Sequence, residues 1–199
     1  MKRSVMTLLC LAALAALSAP RSSAQECTWC GMAEAPEPLS WSTRIAPLTE
    51  PGERLVVTGT VFEEDGETPA AGVRIYVYHT NDKGIYPKRG DERGNDRRHG
   101  YLRGWMQTDA EGRYRFETIR PAPYLTHGGE PAHVHYTIQA PGRKEYWLNA
   151  AWFADDPRVA DEAVVELQRQ GGSSNVMDVS RDAEGVWHGT RDIILATYE

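Results

Sequence analysis

Three shortages mark this 199-residue sequence: only three cysteines, one long apolar run, and no basic excess. The apolar run, Val5 to Ala19, follows Lys2 and Arg3 and precedes Ser22-Ser23-Ala24. It is too short to span a membrane comfortably and has the layout of a secretory signal cleaved after Ala24. Residues 1–24 are therefore set apart as a signal peptide, and a secreted or periplasmic product is expected. Removing them, with Lys2, Arg3 and Arg21, leaves 175 residues with 19 basic against 28 acidic side chains, a net charge of −9. So acidic a chain lacks the basic face that nucleic acid requires. The one basic cluster (Lys88, Arg89, Arg93, Arg97, Arg98) is interleaved with Asp91, Glu92 and Asp96, as in a solvated loop.

Cys10 leaves with the leader, and no small residue precedes the other two cysteines as a lipid anchor would need. Cys27 and Cys30 lie in Cys27-Thr28-Trp29-Cys30. Export favours a disulfide between them, with modest stabilisation because the loop is small. A redox C-x-x-C normally opens a helix in an α/β fold, whereas this one sits in a Pro-rich leader. Pairing with another molecule is the remaining alternative. No Ser-His-Asp signature, phosphate loop or tandem repeat is present, and nothing in the sequence bears on oligomeric state.

What is present is mostly strand. Residues 25–51, rich in Pro, Glu, Ala and Ser, read as an extended arm laid on or off a domain spanning 52–199. Leu55 to Phe62 and Gly72 to Thr80 read as strands, the latter with Val73, Ile75 and Val77 on one face and Arg74, Tyr76 and Tyr78 on the other. A charged, Gly-rich loop covers 81–100. Leu102 to Thr108 and Arg113 to Ile119 read as a hairpin around Asp109-Ala110-Glu111-Gly112. Further strands are expected around 133–138, over 146–153 and over 191–197. One helix, Pro157 to Gln170, is expected, ended by Gly171-Gly172 and capped by Asp155 or Asp156. Short strands with turns between them and one late helix predict an all-β sandwich of mostly antiparallel strands.

Pro131-Ala132-His133-Val134-His135-Tyr136 is the stretch with chemistry in it. Alternation puts His133 and His135 on one face and Val134 and Tyr136 on the other. Two imidazoles so placed can share a metal ion; as a bare H-x-H they equally fit two partly exposed strand histidines. Tyr86 and Tyr124 each lie on a loop just past a strand end, where sites are commonly built. Singly, each also reads as an amphipathic tyrosine covering the sandwich end.

In order, the chain shows L-V-V-T-G-T-V-F-E-E-D-G-E-T-P-A-A-G-V, then H-T-N-D-K-G-I-Y, R-G-W-M-Q-T-D-A-E-G-R-Y-R-F-E-T-I-R-P-A-P-Y, P-A-H-V-H-Y and F-A-D-D-P. From Leu55 to Pro157 this resembles the core domain of the intradiol ring-cleavage dioxygenases, the protocatechuate 3,4-dioxygenase and catechol 1,2-dioxygenase group, as a secreted bacterial-type member. The resemblance implies a mononuclear non-haem Fe(III) held by Tyr86, Tyr124, His133 and His135. Hard Fe(III) suits phenolate oxygen and also accepts imidazole. It implies a catechol-type substrate whose ring is opened by O2 between the hydroxylated carbons. Tyr124 is implied as the tyrosinate that the substrate displaces, and no organic cofactor is implied.

Two positions depart from that pattern. Glu130 stands where the family has an Arg, and Ala150, beside Asn149, where it has a Gln. Both family residues steady the activated substrate, so Glu130 and its neighbours bear on catalysis. Arg143 or Arg103 are candidates for the missing positive charge. These departures keep open a non-catalytic secreted binding module with a degraded metal site; copper or zinc in the same pocket is a third reading. His79, His99 and His127 are weighed as outer partners or surface histidines, and Tyr101 and Trp105 as cleft or packing residues. His188 has no partner evident from the sequence.

Overall fold

The structure, a computed structural model, describes residues 31–124, 130–159 and 175–196. Two mixed sheets pack face to face. One runs β1 (Ser42–Arg44), β5 (Arg113–Ile119), β2 (Arg54–Phe62), β10 (Trp187–Thr190) and β9 (Val179–Arg181), with β11 (Ile193–Ile194) also paired to β2. The other runs β4 (Arg103–Gln107), β3 (Arg74–His79), β6 (His133–Gln139), β7 (Tyr146–Phe153) and β8 (Val176–Met177). β1, β10 and β11 join the first sheet in parallel and β8 joins the second in parallel; the other pairings are antiparallel. This is the all-β sandwich expected.

Alternation builds the core between the sheets. β2 turns Leu55, Val57 and Val61 inward, β5 turns Tyr114 and Phe116, and β6 turns Val134, Tyr136 and Ile138. Each is essentially fully buried, and burying such a side chain is worth about 1.5–3 kcal/mol. β3 differs from a half-buried strand. Ile75 and Val77 face the core, while Tyr76 and Tyr78, on the outer face, are buried in a second cluster with Met32. The chain before β1 and the 81–100 loop supply that cover. Gly31 lies flat on Tyr76; a Cβ there would stand 2.5 Å from its ring. Trp105 Nε1 donates to the Gly31 carbonyl at 2.9 Å.

Several elements differ from the sequence reading. β4 and β5 do not form a hairpin: β4 pairs with β3, and β5 pairs with β2 and β1, in the opposite sheet. The Asp109–Gly112 turn is a crossover between layers. Its carboxylate accepts from the Glu111 and Arg113 backbone N–H groups. Gly112, at φ 71°, lets Val61 N–H reach its carbonyl at 2.8 Å, and a Cβ would meet the Val61 oxygen at 2.5 Å. Both strands feed the same core, so either arrangement gives the same alternation. Of the last expected strand, Arg191 to Thr197, the described residues form only β11, and β10 precedes it. The described helix is Asp96–His99, inside the 81–100 loop. Residues 160–170 of the expected helix lie outside the described residues, as do the signal-like leader and Cys27-Cys30. Among the described residues no helix is long and apolar enough to cross a membrane.

Candidate metal centre

β6 carries the pair of histidines on the face away from the core. Its register against β3 is regular, His135 opposite Tyr78. Against β7 it slips: His133 opposes Trp152 and Val134 opposes Ala151, but Tyr136 opposes Leu148. Asn149 and Ala150 therefore stand together opposite His135, a bulge of two residues against one. The His133 Nδ1 lies 2.7 Å from the Pro131 carbonyl. A carbonyl only accepts, so Nδ1 carries the proton and Nε2 presents its lone pair.

The tyrosines arrive on two loops tied to each other. Asn81 closes the first: its side-chain oxygen accepts from the Lys83 and Ile85 N–H groups, and its own N–H donates to the Ile85 carbonyl. The second loop hydrogen-bonds onto it, through Ala122 N–H to the Asn81 carbonyl and Thr80 Oγ1 to the Ala122 carbonyl. Tyr86 and Tyr124 follow these clamps.

Four donor atoms converge. Tyr86 Oη is 2.5 Å from Tyr124 Oη. Tyr124 Oη is 2.9 Å from His135 Nε2 and 3.2 Å from His133 Nε2. The two Nε2 atoms are 3.0 Å apart. With metal–ligand bonds of about 2.1 Å, neighbouring donors around one ion stand about 3 Å apart. Two oxygen and two nitrogen donors at that spacing fit a hard trivalent ion better than zinc, which favours nitrogen and sulfur. Among the described residues no three His, Cys, Asp or Glu gather as a metal site, so such a site depends on the phenols.

Burial sets the charge of these groups. It pushes His135 well below the ordinary imidazole range, with the other histidines adding to the effect. The ring is neutral and needs no deprotonation to ligate. Burial also raises both phenols, Tyr86 further through its bond to Tyr124, with Glu130 adding to each. The phenols are neutral until a cation arrives, and binding one releases their protons. Glu130 Oε1 stands 3.9 Å from His133 Nε2, and its side chain is 41% exposed.

An aromatic stack backs His135, and sequence reasoning missed it. Tyr78 lies against the His135 ring (centroids 4.5 Å, 14°) and against His99 on its other side (3.7 Å, 7°). His99 Nδ1 meets Tyr76 Oη at 2.8 Å. The signal was available: large aromatics on the outer face of β3 need a cover.

The remaining residues singled out from the sequence fall elsewhere. His79 is wholly buried, bonded to the Thr80 carbonyl and Thr118 Oγ1. His188 pairs with Asp182 at 2.7 Å, and His127 lies outside the described residues. Tyr101 and Trp105 line an open cavity of about 400 Å³ with Arg103, away from the four donors. Neither candidate arginine offsets Glu130: Arg103 pairs with Glu34 and Asp96, and Arg143 with Glu64. Asp155 pairs with Arg120. Asp156 accepts from Arg158 N–H, as a cap would, and also from Ala132 N–H at the start of β6.

A sequence model of a dioxygenase family matches residues 39–195. Catechol 1,2-dioxygenase of Acinetobacter baylyi is 32% identical over 147 residues, covering 66% of this chain and 46% of that protein. Hydroxyquinol 1,2-dioxygenase of a Rhizobium species is 29% identical over 201 aligned positions, covering 88% of this chain and 66% of that protein. Among solved structures, the dioxygenase domain of a dioxygenase and carbohydrate-binding fusion from Streptomyces sp. SirexAA-E superposes with a TM-score of 0.61 at 25% identity. It covers 89% of this chain and 99% of that one. Catechol 1,2-dioxygenase from Acinetobacter sp. ADP1 gives 0.61 at 26% identity, covering 81% and 59%. The chain spans about half the length of the curated relatives it matches.

Proposed function

This chain belongs to the intradiol ring-cleaving dioxygenase family, and from that premise we propose that it binds one Fe(III) through Tyr86, Tyr124, His133 and His135. With it the chain opens a catechol-type ring between the two hydroxylated carbons. Both atoms of O2 enter the product, a muconate-type diacid, so the reaction needs no outside reductant. The observation that carries this reading is that Tyr124 Oη lies within 2.5–3.2 Å of the other phenol oxygen and both imidazole nitrogens, which are themselves 3.0 Å apart.

The bound ion supplies the charge that ionises phenol and catechol at neutral pH and makes the ring electron-rich toward O2. The rest falls to the chain. His133, with Nδ1 donating to the Pro131 carbonyl, turns its Nε2 lone pair inward, and burial keeps His135 neutral. Tyr124 is half-buried, with its oxygen touching every other donor. It would be the ligand that gives way to substrate, and its Oη would take a catechol hydroxyl proton. Tyr86 Oη, 2.5 Å away, can share that proton. The signal-like residues 1–24 support export as part of the same proposal.

Recovery from the exported fraction of an iron-replete culture tests the whole reading. The protein should begin at Gln25, carry one iron per chain and be red to purple from tyrosinate-to-iron charge transfer. Tyr124→Phe should shift that band, and the wild type should take up one O2 per catechol. A colourless, iron-free wild type would favour the non-catalytic binding module that Glu130 and Ala150 suggest.

A further inference from the structure

The cluster has a carboxylate at its lip. Glu130 Oε1 is 3.9 Å from His133 Nε2, which itself lies 3.0 Å from His135 Nε2 and 3.2 Å from Tyr124 Oη. A catechol whose oxygens enter among these donors brings its ring, and any ring substituent, past Glu130. The carboxylate is half in solvent and is not bonded to a lysine or arginine among the described residues. Arg120 is paired with Asp155 through two bonds, and Arg158 with Asp156. Residues 125–129, Leu-Thr-His-Gly-Gly, add neither lysine nor arginine.

We propose that Glu130 selects substrate by charge: the site takes catechols whose ring carries a cationic substituent, of the aminoalkyl kind, and turns away catechols bearing a ring carboxylate. The inference rests on the ring-cleavage reading and names the substrate class of that same site. An ammonium within about 4–6 Å of Glu130, across a partly wetted mouth, gains about tenfold in binding, and a carboxylate there loses about as much. A neutral substituent is indifferent. Screening follows from the same physics, because a half-exposed charge pair weakens as salt is added.

The test uses the iron-loaded full chain without O2, so that binding is read by the charge-transfer band rather than by turnover. Three catechols differing at one ring position are titrated: 4-(2-aminoethyl)catechol, 4-methylcatechol and 3,4-dihydroxybenzoate. The wild type should bind the first about tenfold more tightly than the second, and the third about tenfold more weakly. Each ratio should shrink as salt is raised from 20 to 500 mM, on the order of one Debye regime to the next. In Glu130→Gln both ratios should fall to within about threefold of one, and in Glu130→Arg their order should reverse. Ratios that are unchanged in both variants, or a wild-type preference that ignores salt, would overturn the inference while leaving ring cleavage intact. Failure of 4-methylcatechol to perturb the band of the wild type would remove the ring-cleavage reading and this inference with it.

Discussion

Tyr78→Leu separates a side chain that holds a ligand from one that is a ligand. Tyr78 is nearly buried and its ring lies flat between His135 and His99. Leucine keeps apolar bulk on the strand but removes the flat wall. The ring contact with His135 is worth about 0.5–1.5 kcal/mol. Freeing the imidazole to other rotamers costs about 0.5–1 kcal/mol when iron fixes it again. Together these give about 1–2.5 kcal/mol, or a loss of about 5- to 70-fold in iron affinity. Tyr78→Phe keeps both stacks and should bind iron within about threefold of wild type. Competition against a coloured chelator measures both constants, and near-ultraviolet circular dichroism checks that each variant is folded. A folded Tyr78→Leu that binds iron as the wild type does would show that the hydrogen bonds and β6 alone orient His135.

Two further outcomes follow from buried polar groups. Burial holds His79 at about 4, so it is neutral in the fold, and acid favours the unfolded chain, where the ring protonates near 6.5. Stability from this group is whole above pH 6.5 and drains as pH falls towards 4, on the order of 3 kcal/mol in all; an imidazole signal for His79 titrating near pH 6.5 would refute the assignment. Asp156→Ala strands the buried Ala132 N–H and the Arg158 N–H. It should cost about 2–3 kcal/mol in urea unfolding, against which a loss under about 0.5 kcal/mol would count.

What could be read from the sequence divides by the length over which its cause acts. The H-x-H pair needs only the two-residue period of a strand, so six letters place His133 and His135 on one face. The core alternation of β2, β5 and β6 is legible for the same reason. Tyr86 and Tyr124 have no period behind them; the order of motifs pointed to them, and the Asn81 and Ala122 bonds that join their loops are long-range. The Asn149-Ala150 bulge depends on how β7 registers against β6, which neither strand carries alone. The 109–112 turn misled because two strands that share a core alternate identically whether they pair or face each other. β1, β8 and β9 are two or three residues long, too short for any period. The arm before residue 52 reads as extended chain, partly disordered or laid along the surface, yet its Ile45 and Ala46 sit in the main core.

The two faces of β6 bind fold and site into one problem. Its inner face buries Val134, Tyr136 and Ile138 completely, so a slip of one residue would take all three out of the core between the sheets and put both imidazoles into it. That penalty, several kcal/mol of apolar burial, fixes the histidine face without any metal. The bulge is held from the inner side too. Arg191, 2% exposed, lies 4.1 Å over the Tyr136 ring and donates to the Asn149 carbonyl at 2.7 Å and to Asn175 Oδ1 at 3.1 Å. A buried guanidinium is expensive to desolvate, and here it connects the core residue next to His135 with the bulge opposite His135. The geometry of the donor cluster is therefore set largely by residues that never face it, whereas Glu130, half in solvent at its lip, is free to vary the charge of what enters without disturbing what holds the site together.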